Sequence, residues 1–192
     1  MKFYLPLIII LFGLFIVSHS DNLIIGYYAG MKILGIYAIA KQFAQLCILL
    51  MTPYVNFWKS NRFSFIDNKP GKKILVKLAT VGLTLAFLII FCVATGANIL
   101  ILTVLNKSYQ NAASILPWLT IIFMLSIPEQ FLNTGILSKH STLHFTFLSV
   151  GKSIFVLIGY LFLIKHFGVY GAITSNLFFF LIFNAMIVSI SQ

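Results

Sequence analysis

Acidic side chains are almost missing from this chain: Asp21, Asp67 and Glu129 are the only three in 192 residues. Charged residues of both signs make up 8%, against roughly a quarter in soluble domains. A water-soluble globule of this size still needs a polar exterior, so the composition excludes a cytosolic enzyme or a nucleic-acid-binding module. Cysteine is scarce as well. Cys47 and Cys92 both lie inside apolar runs, with no CxxC and no neighbouring histidine pair, which argues for packing roles and against a disulfide or metal site. Disorder is ruled out by 20 Phe and long Ile/Leu runs.

What is present is apolar: 60% of the residues, with a mean hydropathy of +1.04. An integral membrane protein follows. A spanning helix takes about 20 residues, which leaves room for about six or seven. A barrel would instead show short segments of alternating polarity, whereas these runs are long and unbroken. The expected fold is therefore all-α, a polytopic transmembrane helix bundle with spans near residues 4–26, 34–57, 74–94, 113–132, 143–164 and 171–190. The apolar piece from Asn98 to Leu105 is too short to span and reads as a continuation of the third helix or an interfacial segment. Lys2, the run from Leu5 to Val17 and Ser18-His19-Ser20 imitate a secretory signal, whose cleavage would leave a chain starting at Asp21. The apolar pattern continues from Leu23 to Tyr28 and reads better as one uncleaved span.

The net charge of +10 is concentrated. Lys59, Arg62, Lys69, Lys72, Lys73 and Lys77 sit in or beside one polar connection at residues 58–73, offset by Asp67. This is the signature of a cytoplasmic loop, and it places both termini in the cytoplasm.

Charges inside a span are costly and each needs a reason. Asp21, Lys41, Glu129 and Lys152 are the four. Counted at about 100° per residue from Tyr37, Lys41, Gln45, Thr52, Asn56 and Lys59 fall between about 40 and 100°. They form one polar stripe along the second helix. It either supplies interhelical hydrogen bonds or, taken whole with its lysine, looks into a water-filled cavity. Asp21 and Lys41 lie at similar depth, about 8 to 10 Å below the outer face, so either they pair or Lys41 snorkels to the headgroups. Lys152 is near the middle of the fifth helix beside a face of Thr146, Ser149, Ser153 and Tyr160, and Glu129 either supplies its counter-charge or faces the inner headgroups. His19, His140, His144 and His166 show no metal spacing, and no phosphate loop or catalytic constellation occurs. No enzyme, metal or cofactor is expected.

Several segments carry a resemblance. "SHSDNLIIGYYAGMKILGIYAIAKQFAQL" followed by "PYVNFWKSNRFSF" resembles the start of the C-terminal lobe of O-antigen and other polysaccharide flippases, though without the proline that usually follows the Trp58-Lys59 exit. "YQNAASILPWL" is similar to the opening of that lobe's fourth helix, "NTGILSKHST" to its cytoplasmic turn and "HFGVYGAITSN" to the entry of its last helix. The family belongs to the exporter superfamily that includes the MATE transporters. The resemblance implies one six-helix lobe covering residues 1–192, the N-terminal lobe being absent through truncation or a split gene, in a bacterial inner membrane. It further implies alternating-access transport of undecaprenyl-diphosphate-linked oligosaccharide, the repeat unit of O-antigen lipopolysaccharide or capsule. Partners would be that substrate, membrane lipids, and a separate N-terminal lobe or a second copy, and no nucleic acid. Lys41 and Lys152 would serve an anionic headgroup, with Tyr37, Gln45 and Asn56 as further cavity candidates. Two readings stay beside it: a half-size MATE-type drug/cation antiporter coupled through Asp21, and a membrane scaffold that transports nothing.

Overall fold

The computed structural model describes residues 4–65, 69–139 and 142–191. Six long helices account for nearly all of them: α1 (Tyr4–Ala29), α2 (Met31–Asn61), α3 (Lys69–Val104), α4 (Ala112–Lys139), α5 (Thr142–Phe167) and α6 (Val169–Ser191). Two 3-10 turns, Arg62–Phe65 and Lys107–Tyr109, precede α3 and α4. The expected all-α architecture is what the chain forms.

The helices overrun the expected spans. Residues 98–104 continue α3 without a break, and the supposed loop at 58–73 is mostly helix and 3-10 turn. The reason lies in the solvent. Charged side chains can end a hydrophobic span while the backbone goes on satisfying its own hydrogen bonds beyond it. Asp67, His140 and Ser141 lie outside the described residues, as do the side chains of Lys69, Lys139 and His144; residues 133–139 of the "NTGILSKHST" segment, expected as a turn, continue α4.

Among the described residues, five helical stretches are long and apolar enough to cross a membrane: Met31–Asn61, Gly71–Val104, Ala112–Phe131, Thr146–Phe167 and Val169–Met186. Their outer surfaces suit lipid. Leu49, Phe87, Leu88, Phe91, Phe155 and Phe162 are all more than half exposed, an arrangement that water would penalise and hydrocarbon would not. Exposed hydroxyls are satisfied within their own helix. Thr80, Thr84, Thr95 and Thr103 of α3 donate to the carbonyls of Val76, Thr80, Phe91 and Ile99 at 3.0, 3.0, 2.8 and 2.8 Å. Such back-bonding lets a threonine face a medium that offers no partner.

By its contacts the chain divides into two units, Met1–Ala38 with Gly135–Gln192, and Ile39–Thr134. In the first, α5 packs against both α1 and α6. Small residues allow the close approach. A Cβ at Gly13 of α1 would meet Ser153 Oγ of α5 at 3.2 Å, and one at Gly159 of α5 would run into Ser175 of α6 and come within 2.9 Å of Phe179. Ser175 donates to the Val156 carbonyl at 3.3 Å. Gly168, at φ +56°, turns α5 into α6 and donates to the Ile164 carbonyl at 2.9 Å, the left-handed glycine stop that closes many helices. Gly30, at φ +88°, makes the equivalent break between α1 and α2.

In the second unit, Gly82 of α3 lies against Tyr54 of α2 and Phe131 of α4: an added Cβ would stand 2.5 and 2.6 Å from their rings. Tyr54 donates its hydroxyl to the Leu78 carbonyl at 2.6 Å. Trp58, almost fully buried, meets Phe131 edge-to-face at 5.0 Å. These contacts tie α2, α3 and α4 together near the basic end of the unit.

Candidate functional site

Helix α2 presents three distinct sides. Ala40, Ala44, Cys47, Met51 and Trp58 are buried and fall between about 280 and 340° on the wheel that starts at Tyr37. Leu46, Leu49, Leu50 and Phe57 are exposed and occupy about 120 to 220°, a surface for acyl chains. The polar stripe lies between them. Gln45, Thr52, Asn56 and Lys59 are exposed and Lys41 is half-buried. Thr52 closes its hydroxyl on the Ile48 carbonyl at 2.8 Å. Two lysines, one glutamine, one threonine and one asparagine thus share a largely open face that is separate from both the packed side and the apolar side.

In the unit built from α1, α5, α6 and the start of α2, polar groups are buried instead. Asp21 is 2% exposed and Tyr37 1%. The Tyr37 hydroxyl donates to Asp21 Oδ2 at 2.7 Å, and the Asn22 amide donates to Oδ1 at 2.8 Å. Tyr160 of α5 donates to Asn176 Oδ1 of α6 at 2.9 Å, and the Asp21 carboxylate acts electrostatically on both tyrosines. Two tyrosine bonds from different helix pairs therefore form one buried polar cluster. Its acceptors are anionic or amide oxygens, so each hydroxyl is satisfied in a region where water is scarce.

Lys152 is held by aromatic faces. Its ammonium stands 3.8 Å from the Phe180 ring centroid and 4.5 Å from that of Phe183, both on α6. Cation–π attraction is strongest where water is displaced, which accounts for a lysine at mid-helix depth. The neighbouring polar face of α5 is packed: Thr146, Ser149 and Tyr160 are buried, and Ser153 donates to the Ser149 carbonyl at 3.0 Å. It differs in this from the open stripe of α2. Glu129 is half-buried on α4. Beyond α2, Arg62 is buried, and that burial pushes its guanidinium down from the ordinary value.

The structure thus brings Asp21 to Tyr37 and lines up Lys41, Gln45 and Asn56. It seats Lys152 on α6. Asn176, Phe180 and Phe183 escaped the reading of the sequence because aromatic and amide residues on an apolar helix carry no signal of what faces them. The spacing of small residues at Gly159 and Ser175 was the available hint that α5 and α6 approach closely. No group of three His, Cys, Asp or Glu with metal-binding geometry occurs among the described residues.

Unbroken helices, apolar outer surfaces and internally closed hydroxyls define a multi-pass helical membrane protein. The chain belongs to a family of polysaccharide biosynthesis proteins, whose model matches residues 1–114. That stretch holds α1, α2 and α3, and with them Asp21, Tyr37 and the whole α2 stripe. No curated relative and no solved structure matches the chain.

Proposed function

We propose that the chain is a six-helix lobe of an inner-membrane transporter that carries polyprenyl-diphosphate-linked oligosaccharide between leaflets by alternating access, and that it is not an enzyme. The observation that carries the reading is the open polar face of α2, with Lys41, Gln45 and Asn56 in line on a helix whose other two sides are packed and apolar. In lipid such a face is expensive; lining a wet path, it is useful. A lysine suits a diphosphate headgroup, while glutamine and asparagine amides suit sugar hydroxyls. Membership in a polysaccharide biosynthesis family supports the substrate class.

On this reading α1 is a sixth span, the basic end of α2 and α3 faces the cytoplasm, and the α2 stripe works opposite a second lobe, either a separate chain or another copy. Rocking of one bundle against another requires both walls of the path. The test is complementation of a flippase-deficient strain, with the chain expressed alone and together with an N-terminal-lobe partner. Surface polysaccharide should return when both walls are present. No restoration in either case, with the protein in the membrane, refutes the reading.

A further inference from the structure

The basic end of the second unit is more than a sign of orientation. Tyr54 of α2 is bonded to Leu78 of α3, and Gly71 sits against the Phe65 carbonyl. These contacts set the last turns of α2 beside the first turns of α3. Lys59, five residues beyond Tyr54, and Lys73, five residues before Leu78, therefore stand at one level, with Lys77 about one turn closer to the membrane centre. Lys59, Lys72, Lys73 and Lys77 are all exposed.

The depth follows from length. Leu78 to Val104 carries no charge and is about 40 Å of helix at 1.5 Å per residue, enough for the hydrocarbon core of about 30 Å and most of the interfacial layers. The turns that bear the lysines then fall among the headgroups. Their neighbours agree. Ile74 and Val76, between the lysines, are 46% and 65% exposed, and Phe57 beside Lys59 is 49% exposed. Apolar groups interleaved with ammonium groups fit the boundary where acyl chains meet phosphates, and they do not fit a free anion in water.

The geometry points to a binding surface for anionic phospholipid headgroups, formed by Lys59 of α2 with Lys72, Lys73 and Lys77 of α3. The ammonium groups take the phosphodiester oxygens, and Phe57, Ile74 and Val76 lie along the upper acyl chains. The four exposed ammonium groups of Lys59, Lys72, Lys73 and Lys77 make the surface positive. This inference is independent of the proposed transport.

Spin-labelled lipid resonance on the full chain, reconstituted into equimolar phosphatidylglycerol and phosphatidylcholine vesicles, reads the relative association of each lipid with the protein. The native chain should prefer phosphatidylglycerol, with the preference weakening as salt is raised. A triple K72Q/K73Q/K77Q variant should lose at least about five-fold of that preference, the factor that corresponds to the roughly 1 kcal/mol of a single cation near the surface. The matching arginine variant keeps both the charge and the insertion signal and should retain it. An unchanged preference in the glutamine variant overturns the assignment. So does displacement of the labelled lipid by inorganic phosphate where chloride of equal ionic strength has no effect, since that marks a free-anion site.

Discussion

Replacing Tyr37 with Phe deletes one hydroxyl from the buried contact between α1 and α2. The oxygen it removes lies 2.7 Å from Asp21 Oδ2, with donor and acceptor both almost fully buried. Neutral hydrogen bonds between membrane helices average about 0.6 kcal/mol in double-mutant cycles and reach about 1.7. Bonds to a charged acceptor contribute about 1.5–3 kcal/mol. The Asp21 carboxylate keeps its bond from the Asn22 amide at 2.8 Å, so the loss is partial and about 1.5–2 kcal/mol is expected. Asp21→Asn and the double variant complete the cycle, measured by reversible unfolding in mixed micelles. A coupling energy of about 1.5 kcal/mol or more is the expected result. A coupling near 0.6 kcal/mol would make the contact an ordinary interhelical bond and refute the charged-acceptor reasoning.

Five further outcomes are expected. Gly159→Leu should cost about 1–3 kcal/mol of stability, because its side chain would meet Ser175 and Phe179. Gly96→Ala, with nothing within 4 Å of the new Cβ, should stabilise by up to about 1 kcal/mol, and equal effects in the same unfolding assay would contradict the packing described. Gly168→Ala, at φ +56°, should destabilise by about 1 kcal/mol and should shorten protection of the α5–α6 turn in hydrogen exchange. In a background with Cys47 and Cys92 replaced, single cysteines at 41, 45, 52 and 56 should react with a charged thiol reagent in intact membranes while those at 46, 49 and 50 do not. Uniform protection would remove the water-filled path. Lys152→Ala should lower polysaccharide transport without loss of protein from the membrane; unchanged transport would leave Lys152 a packing residue seated on Phe180 and Phe183.

Much of this molecule is legible before folding is considered. The shortage of acids and the apolar runs specify a helical membrane protein, because transfer into hydrocarbon dominates every other term. Six long helices were expected and six form among the described residues, and the α2 stripe was visible because a helix repeats every 3.6 residues. Residues 98–104 continue the third helix, one of the two readings open to them, while its start was underestimated at Lys69–Lys73, since hydropathy marks where the lipid ends and a helix stops only where its backbone bonds do.

Periodicity tells which side of a helix is polar but not what that side meets. The polar faces of α2 and α5 look alike in sequence, yet Thr146, Ser149 and Tyr160 of α5 are buried while Gln45, Thr52 and Asn56 of α2 are exposed. Asp21 and Tyr37 stand 16 residues apart and meet only because Gly30 turns the chain back. Lys152 finds its partners on α6, nearly thirty positions along the chain. The amino acids determine by their transfer energies that these helices lie in a bilayer. Which polar group is sealed and which stays open depends on the rotation of each helix about its axis, and close packing at Gly13, Gly82 and Gly159 sets that rotation.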